Sequence, residues 1–139
     1  MIYEIRPAEF GQGLFATVPI AAGTLIWEYK LNENVVEYDE AQATEHLASL
    51  PTLFTQQQFL DLTFGRNGRL CLITDEGRYM NHAPLANCKT DMATGHCFAL
   101  RAIAPDEQLF EDYSTFEHPP FLLTLLAKYQ CEPTYYAII

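Results

Sequence analysis

Arg78-Tyr79-Met80-Asn81-His82, read together with Glu107-Gln108-Leu109-Phe110-Glu111-Asp112-Tyr113, is the stretch on which the fold turns. An asparagine side chain carries both donors and an acceptor, and a neutral histidine carries one of each. Backbone groups beside such a pair can read an adenine edge, and the Asn81 side chain can hold an amino-acid head group. Taken alone, Asn81-His82 is a satisfied turn. Arg78 would then pair with Asp75 or Glu76 and merely fix the loop. Tyr113 alone is a core tyrosine whose hydroxyl needs a partner. The order of the pieces along the chain gives them further meaning.

Upstream lies Gly11-Gln12-Gly13-Leu14-Phe15-Ala16, after an expected strand from Ile2 to Ile5. Two glycines let a backbone turn with positive φ and approach a ligand closely. A dinucleotide fingerprint would need a third glycine and a following helix, and a phosphate loop would need Gly-Lys-Ser/Thr. A plain hairpin turn is the simplest reading. Thr24-Leu25-Ile26-Trp27-Glu28-Tyr29 is rich in strand formers, with Asn34 to Tyr38 as its partner strand. Asp39 should cap a helix running through Leu47 and Leu50 and stopped at Pro51. A second helix should begin at Thr55, with Thr55 and Gln58 as capping box and Phe54 stapled to Phe59. Gly65 should end it. Strands return at Leu70-Ile73, Cys97-Leu100 and Leu109-Asp112. Pro119-Pro120 open a last helix, with Leu122, Leu125, Leu126 and Tyr129 on its buried face. The fold class expected is mostly β with inserted helices, α+β rather than alternating βαβ.

The 139 residues suit one domain, and 49% are hydrophobic, enough for a core without disulfides or metal. Cys71, Cys88, Cys97 and Cys131 are scattered without a CxxC pair, so buried free thiols are expected and no metal site. No run of 18 apolar residues marks a membrane span, and Met1-Ile2-Tyr3-Glu4 does not open a signal peptide. An intracellular setting is the expectation, nucleus or cytoplasm unresolved. A net charge of −10 argues against a nucleic-acid partner and suits a basic peptide, or simply solubility.

Taken in order, these motifs resemble the SET-domain family of S-adenosylmethionine-dependent protein lysine methyltransferases. Gly11 to Ala16 is similar to the family's first motif, and Thr24 to Tyr29 to the strand that follows. Arg78-Tyr79-Met80-Asn81-His82 with Asn87-Cys88 resembles its Arg-Phe-x-Asn-His-Ser-Cys-x-Pro-Asn stretch. Leu100-Arg101-Ala102-Ile103 and Glu107 to Tyr113 resemble its closing strands. The resemblance covers nearly the whole chain, as one domain of residues 1–139 with 39–66 as a variable helical insert. It implies a β-clip of small curled sheets with a C-terminal pseudoknot and a terminal helix.

The resemblance also implies site roles. Gly11, Gln12, Gly13, Leu14, Tyr79, Asn81, His82 and Phe116 would hold S-adenosylmethionine, released as S-adenosylhomocysteine. Tyr113 would be catalytic. Tyr29, Phe98, Glu111 and Phe121 would line the channel for a lysine of a basic, possibly histone-like, protein. Residues 114–139 would form a helical, aromatic lid. Ala83-Pro84 and Ala86 depart from the family's Ser-Cys and Pro, and Glu111 stands where Phe or Tyr is common and influences methyl number. A CxCxxxxC zinc cluster is absent, so Phe116, Phe121 or Tyr129 would close the channel, and apolar surface is left on which two copies could pair.

Methyl transfer to an amine is an in-line displacement in which positioning supplies much of the catalysis. Free lysine has a pKa of about 10.4. A sulfonium about 4 Å away, at an effective dielectric of about 20, repels an ammonium by roughly 4 kcal/mol, about 3 pKa units. A strong general base is then unnecessary, and the Tyr113 hydroxyl can aim the amine. By strand alternation Glu111 is either a surface carboxylate or shares the face of Tyr113. The competing readings are a SET-like binding module and, more remotely, a β-clip carbohydrate-binding or ice-binding domain. The last explains neither Asn81-His82 nor Asp112-Tyr113.

Overall fold

Short strands dominate one part of the molecule and helices the other. The computed structural model describes residues 1–9 and 11–131, and the chain divides into two compact units. The first comprises Met1–Lys30 and Thr74–Tyr113; the second comprises Leu31–Ile73 and the described residues from Ser114.

In the first unit, β1 (Tyr3–Pro7) pairs antiparallel with β2 (Gln12–Ala16). Gly11, at φ 73°, makes the turn between them. The outer edge of β2 meets the 106–109 segment: Leu109 N–H donates to Leu14 O at 2.8 Å and Ala16 N–H to Glu107 O at 2.9 Å. A five-stranded sheet runs in the order β3 (Leu25–Trp27), β9 (Cys97–Ala99), β8 (Cys88–Thr90), β10 (Phe110–Glu111), β7 (Asn81–His82). β10 is parallel to both its neighbours, with Phe110 opposite Asn81 and Glu111 opposite both His82 and Cys88. The residues joining β7 to β8 also bond to β10, through Ala83 N to Glu111 O at 3.0 Å and Asn87 N to Phe110 O at 3.2 Å. The chain from 81 to 88 therefore wraps the later strand, the crossing expected of the pseudoknot.

In the second unit, β4 (Val35–Tyr38), β5 (Thr63–Arg66) and β6 (Arg69–Ile73) form an antiparallel sheet ordered β4-β6-β5. The segment from Asn34 to Tyr38 is thus not the partner of β3, which pairs with β9. Strand pairing is decided by distant segments, which a local pattern does not register. Helix α1 (Glu40–Ser49) has the expected Asp39 cap, reciprocated by Gln42, and ends at Leu50 before Pro51. Helix α2 (Leu53–Leu62) begins before the predicted Thr55. Thr52 is its cap and Thr55 the third helical residue that returns the bond. Phe54 is 71% exposed, so no staple to Phe59 forms. Gly65 does not stop the helix; it lies inside β5, where its bare backbone allows close contact with the Glu117 carbonyl.

Helix α3 (Pro120–Lys128) starts at the proline pair. Its Leu122, Leu125 and Leu126, followed by Tyr129, pack with Ala43, Leu47, Phe59, Leu60 and Leu70 into one apolar cluster. Each fully buried leucine contributes about 1.5–3 kcal/mol from burial. Among the described residues no helix is long and apolar enough to cross a membrane.

Candidate functional site

The two quoted stretches meet in the first unit, where β7 and β10 lie side by side. Met80 precedes β7 and is the carboxy-terminal cap of a 3-10 turn, Glu76–Tyr79. Four contacts pin that turn. Asp75 accepts from Gly77 N at 2.9 Å and from Trp27 Nε1 at 3.0 Å, Glu76 accepts from the Tyr3 hydroxyl at 2.8 Å, and Gly77 lies against the Trp27 indole. Burial, then the neighbouring Glu76, pushes the Tyr3 hydroxyl pKa well up, so it remains a donor. With both acids engaged, Arg78 turns instead to Tyr79, donating to its hydroxyl at 2.7 Å and stacking 4.8 Å from its ring centre.

Asn81 ties the turn to the glycine motif. Its Nδ2 donates to Gln12 O at 2.9 Å and to Gln108 Oε1 at 3.1 Å. Both amide hydrogens are thereby used, and Oδ1 remains as an acceptor. Leu14 is buried in the core side of β2.

His82 holds Tyr113. Its Nδ1 accepts from Tyr113 N–H at 3.0 Å, and the rings sit 5.2 Å apart, tilted by 47°. The same Nδ1 lies 3.9 Å from Asp112 Oδ1. The Tyr113 hydroxyl donates to the Met80 carbonyl. The tyrosine is thus fixed at both ends, to the residues on either side of Asn81.

Glu111 is buried and is not a surface carboxylate. It is 7% exposed, and its Oε1 accepts from Thr90 Oγ1 at 2.5 Å. Burial pushes its pKa up, against the opposing hydrogen bonds from Thr90 and Cys97. Alternation fails as a guide because Tyr113 opens a 3-10 turn, Tyr113–Thr115.

The other expected channel residues are placed as follows. Phe98 lies across from Lys89 and Leu25, alternating away from Cys97, and lines a cleft with Lys89, Thr90, Asp91 and Leu100. Tyr29 is buried against Gly95, its N–H donating to His96 Nδ1 at 2.9 Å. Phe116 and Phe121 belong to the second unit. Phe116 stacks 4.9 Å from Phe64, and Phe121 packs against the apolar cluster that contains Tyr129.

Two residues of the quoted motifs have roles that the sequence did not assign them. Asn87, 2% exposed, donates to Glu107 Oε2 at 3.0 Å and Gln108 O at 2.8 Å and accepts from Phe110 N at 2.8 Å, closing the crossing of β10. Arg101 at 2.7 Å, then Asn87, holds the Glu107 carboxyl down to about 2. Gln108 is the second, facing both Gly13 and Asn81. Asn87 precedes β8 and Gln108 precedes β10, and neither carries a local signal of these contacts. Among the described residues no three His, Cys, Asp or Glu side chains converge to hold a metal.

The geometry can be set beside known proteins. A comparison with curated protein sequences finds no match. Among solved structures, the chain is similar to Chaetomium thermophilum Polycomb Repressive Complex 2, a humanized mutant bound to an inhibitor. That match has 18% identity and TM-score 0.61, covering 90% of this chain and 16% of that one. A second similarity is to the same complex in an autoinhibited conformation bound to S-adenosylmethionine, at 20% identity and TM-score 0.65, with 91% and 16% coverage. A third is to a candidate histone methyltransferase of Plasmodium falciparum, at 16% identity and TM-score 0.53, with 80% and 91% coverage. This chain therefore spans about a sixth of the first two, 16% of each, and the likeness is one of fold. The sequence profile of the SET domain matches residues 11–114, from the glycine turn to just past Tyr113. With the profile spanning both quoted stretches, the chain belongs to the SET-domain family, whose members are usually protein lysine methyltransferases that use S-adenosylmethionine.

Proposed function

We propose that this chain transfers a methyl group from S-adenosylmethionine to a lysine side chain of a basic protein, with a histone-like tail as the substrate class. The observation that carries the reading is the fixing of Tyr113, through its backbone to His82 and through its hydroxyl to Met80, on both sides of Asn81. A hydroxyl has one hydrogen and two lone pairs. With its hydrogen directed at the Met80 carbonyl, the Tyr113 hydroxyl oxygen would act toward a neutral amine as an acceptor that orients it.

The residues fit the cofactor's amino-acid end. Asn81 Oδ1, left over once Nδ2 is doubly bonded, suits an ammonium, and the glycine turn admits close backbone approach. When bound, the cofactor supplies an electrophilic methyl on a sulfonium whose charge disfavours protonation of a nearby amine. The chain's own work is then orientation, by Asn81 on one side and by Tyr113 on the other. The net charge of −10 supports a basic substrate through steering.

The alternative is a SET-like binding module. It draws on the prior commitment of the Tyr113 hydroxyl hydrogen and on Ala83, which meets Glu111 through its backbone N–H. Calorimetry with S-adenosylmethionine and S-adenosylhomocysteine, followed by labelled-methyl transfer to histone-like peptides, separates the two. Saturable binding with transfer is expected. Absence of binding would end the cofactor assignment, and binding without transfer to any lysine would favour the module.

A further inference from the structure

Gly13 is a glycine for a reason its backbone does not supply. It lies inside β2, paired with Arg6, and is not among the residues with positive φ. What its missing Cβ leaves is room for a side chain: a Cβ built there would overlap Gln108 Oε1 and approach its Cδ to 3.1 Å. Gln108 comes from the segment that borders β2, where it bridges to Phe15 and is followed by the Leu109–Leu14 bond. From that place its Oε1 accepts from Asn81 Nδ2.

The orientation of both carboxamides follows from a group that cannot rotate. The Gln12 carbonyl is backbone, and it faces the Asn81 amide at 2.9 Å. Turning the Asn81 amide over would place oxygen against that oxygen. Nδ2 therefore faces Gln12, and its second hydrogen meets Gln108, whose oxygen must face it in turn. With Gln108 absent, a single acceptor is left to hold the amide. The result of the pair is that Asn81 Oδ1 stays turned outward as an acceptor.

We propose that Gln108 is a positioning residue of the cofactor site, fixing the Asn81 amide so that Oδ1 is presented to the ammonium of the bound amino-acid end, and that Gly13 is required to admit it. This rests on the cofactor reading of Asn81 given above. Gln108 touches Asn81 rather than the reacting atoms, so its loss weakens cofactor binding more than it slows transfer.

The test uses the full chain with Gln108→Leu, Gln108→Glu and Gly13→Ala, titrated with S-adenosylhomocysteine. Gln108→Leu keeps the bulk and removes the acceptor; affinity should fall about tenfold, the scale of one hydrogen bond, with an unchanged melting temperature. Gln108→Glu keeps an acceptor and should stay within about threefold of the parent. Gly13→Ala should displace Gln108 and match the Gln108→Leu loss, and the double variant should be no weaker than either single one. Parent-like affinity of Gln108→Leu, or losses that multiply in the double variant, would overturn the proposal. A cofactor-free readout keeps this distinct from the functional assignment. The Asn81 side-chain amide resonances should move in Gln108→Leu and in Gly13→Ala but not in Gln108→Glu. Unmoved resonances overturn the Gln108 role even if the parent binds the cofactor; moved resonances in a parent that binds none overturn the cofactor reading and leave only the Gln108–Asn81 contact.

Discussion

The two units of this chain are held together by different means. The helical unit relies on a contiguous apolar cluster in which Leu47, Leu60 and Leu122 are at most 1% exposed. The strand-rich unit has strands of two to five residues, and its site depends on side chains bonded to backbone: Asn81 to Gln12, Asn87 to Gln108 and Phe110, His82 to Tyr113. Apolar packing is non-directional and tolerates small shifts. Hydrogen bonds are directional, and a displaced partner loses them. Rigidity of geometry is therefore concentrated where chemistry is proposed, and stability where it is not.

The largest expected effect breaks the apolar side of that contrast. Leu60→Ala, in a site 0% exposed, should cost about 2–5 kcal/mol, read from denaturant unfolding. At denaturant-free conditions the surviving folded protein should bind S-adenosylhomocysteine as the parent does. Lost binding in protein that is still folded would show that the two means of support are not separable.

A smaller effect sharpens the polar side. Glu111 is buried with its pKa raised, first by burial. Folding then takes up a proton, so the contribution of Glu111 to stability is present below the ordinary carboxyl range. It is lost as pH rises through the raised folded value. Glu111→Gln keeps the shape and the Thr90 partner without ionising. Its stability relative to the parent, the difference in unfolding free energy, should increase from acid to neutral pH. A difference between the two that does not vary with pH would mean that Glu111 is ionised in the fold.

Much of this was legible in the chain. The capped α1, the proline-started α3 with its leucine face, and the strands at 70–73 and 97–99 follow from spacing and capping chemistry alone. The motif order also identified Asn81, His82 and Tyr113, which the structure brings together across β7 and β10. What local pattern missed depends on distant partners. Gly65 reads as a helix stop until Glu117 is seen against it. Glu111 reads as a surface carboxylate or a neighbour of the Tyr113 face until Thr90 and Cys97 are seen bonded to it. Gln108 and Asn87 read as ordinary polar residues because their roles are set by backbone groups of other strands.

The central claim is that Tyr113 orients a lysine amine for methyl transfer. The direct measurement is single-turnover transfer of labelled methyl to a histone-like peptide by the parent and by Tyr113→Phe, with S-adenosylhomocysteine affinity measured on both. The parent should transfer; Tyr113→Phe should be slower by about 10²-fold, the scale of one preorganised polar group, with affinity within about twofold. Equal rates in the two proteins, or no transfer by the parent to any lysine, would contradict the account.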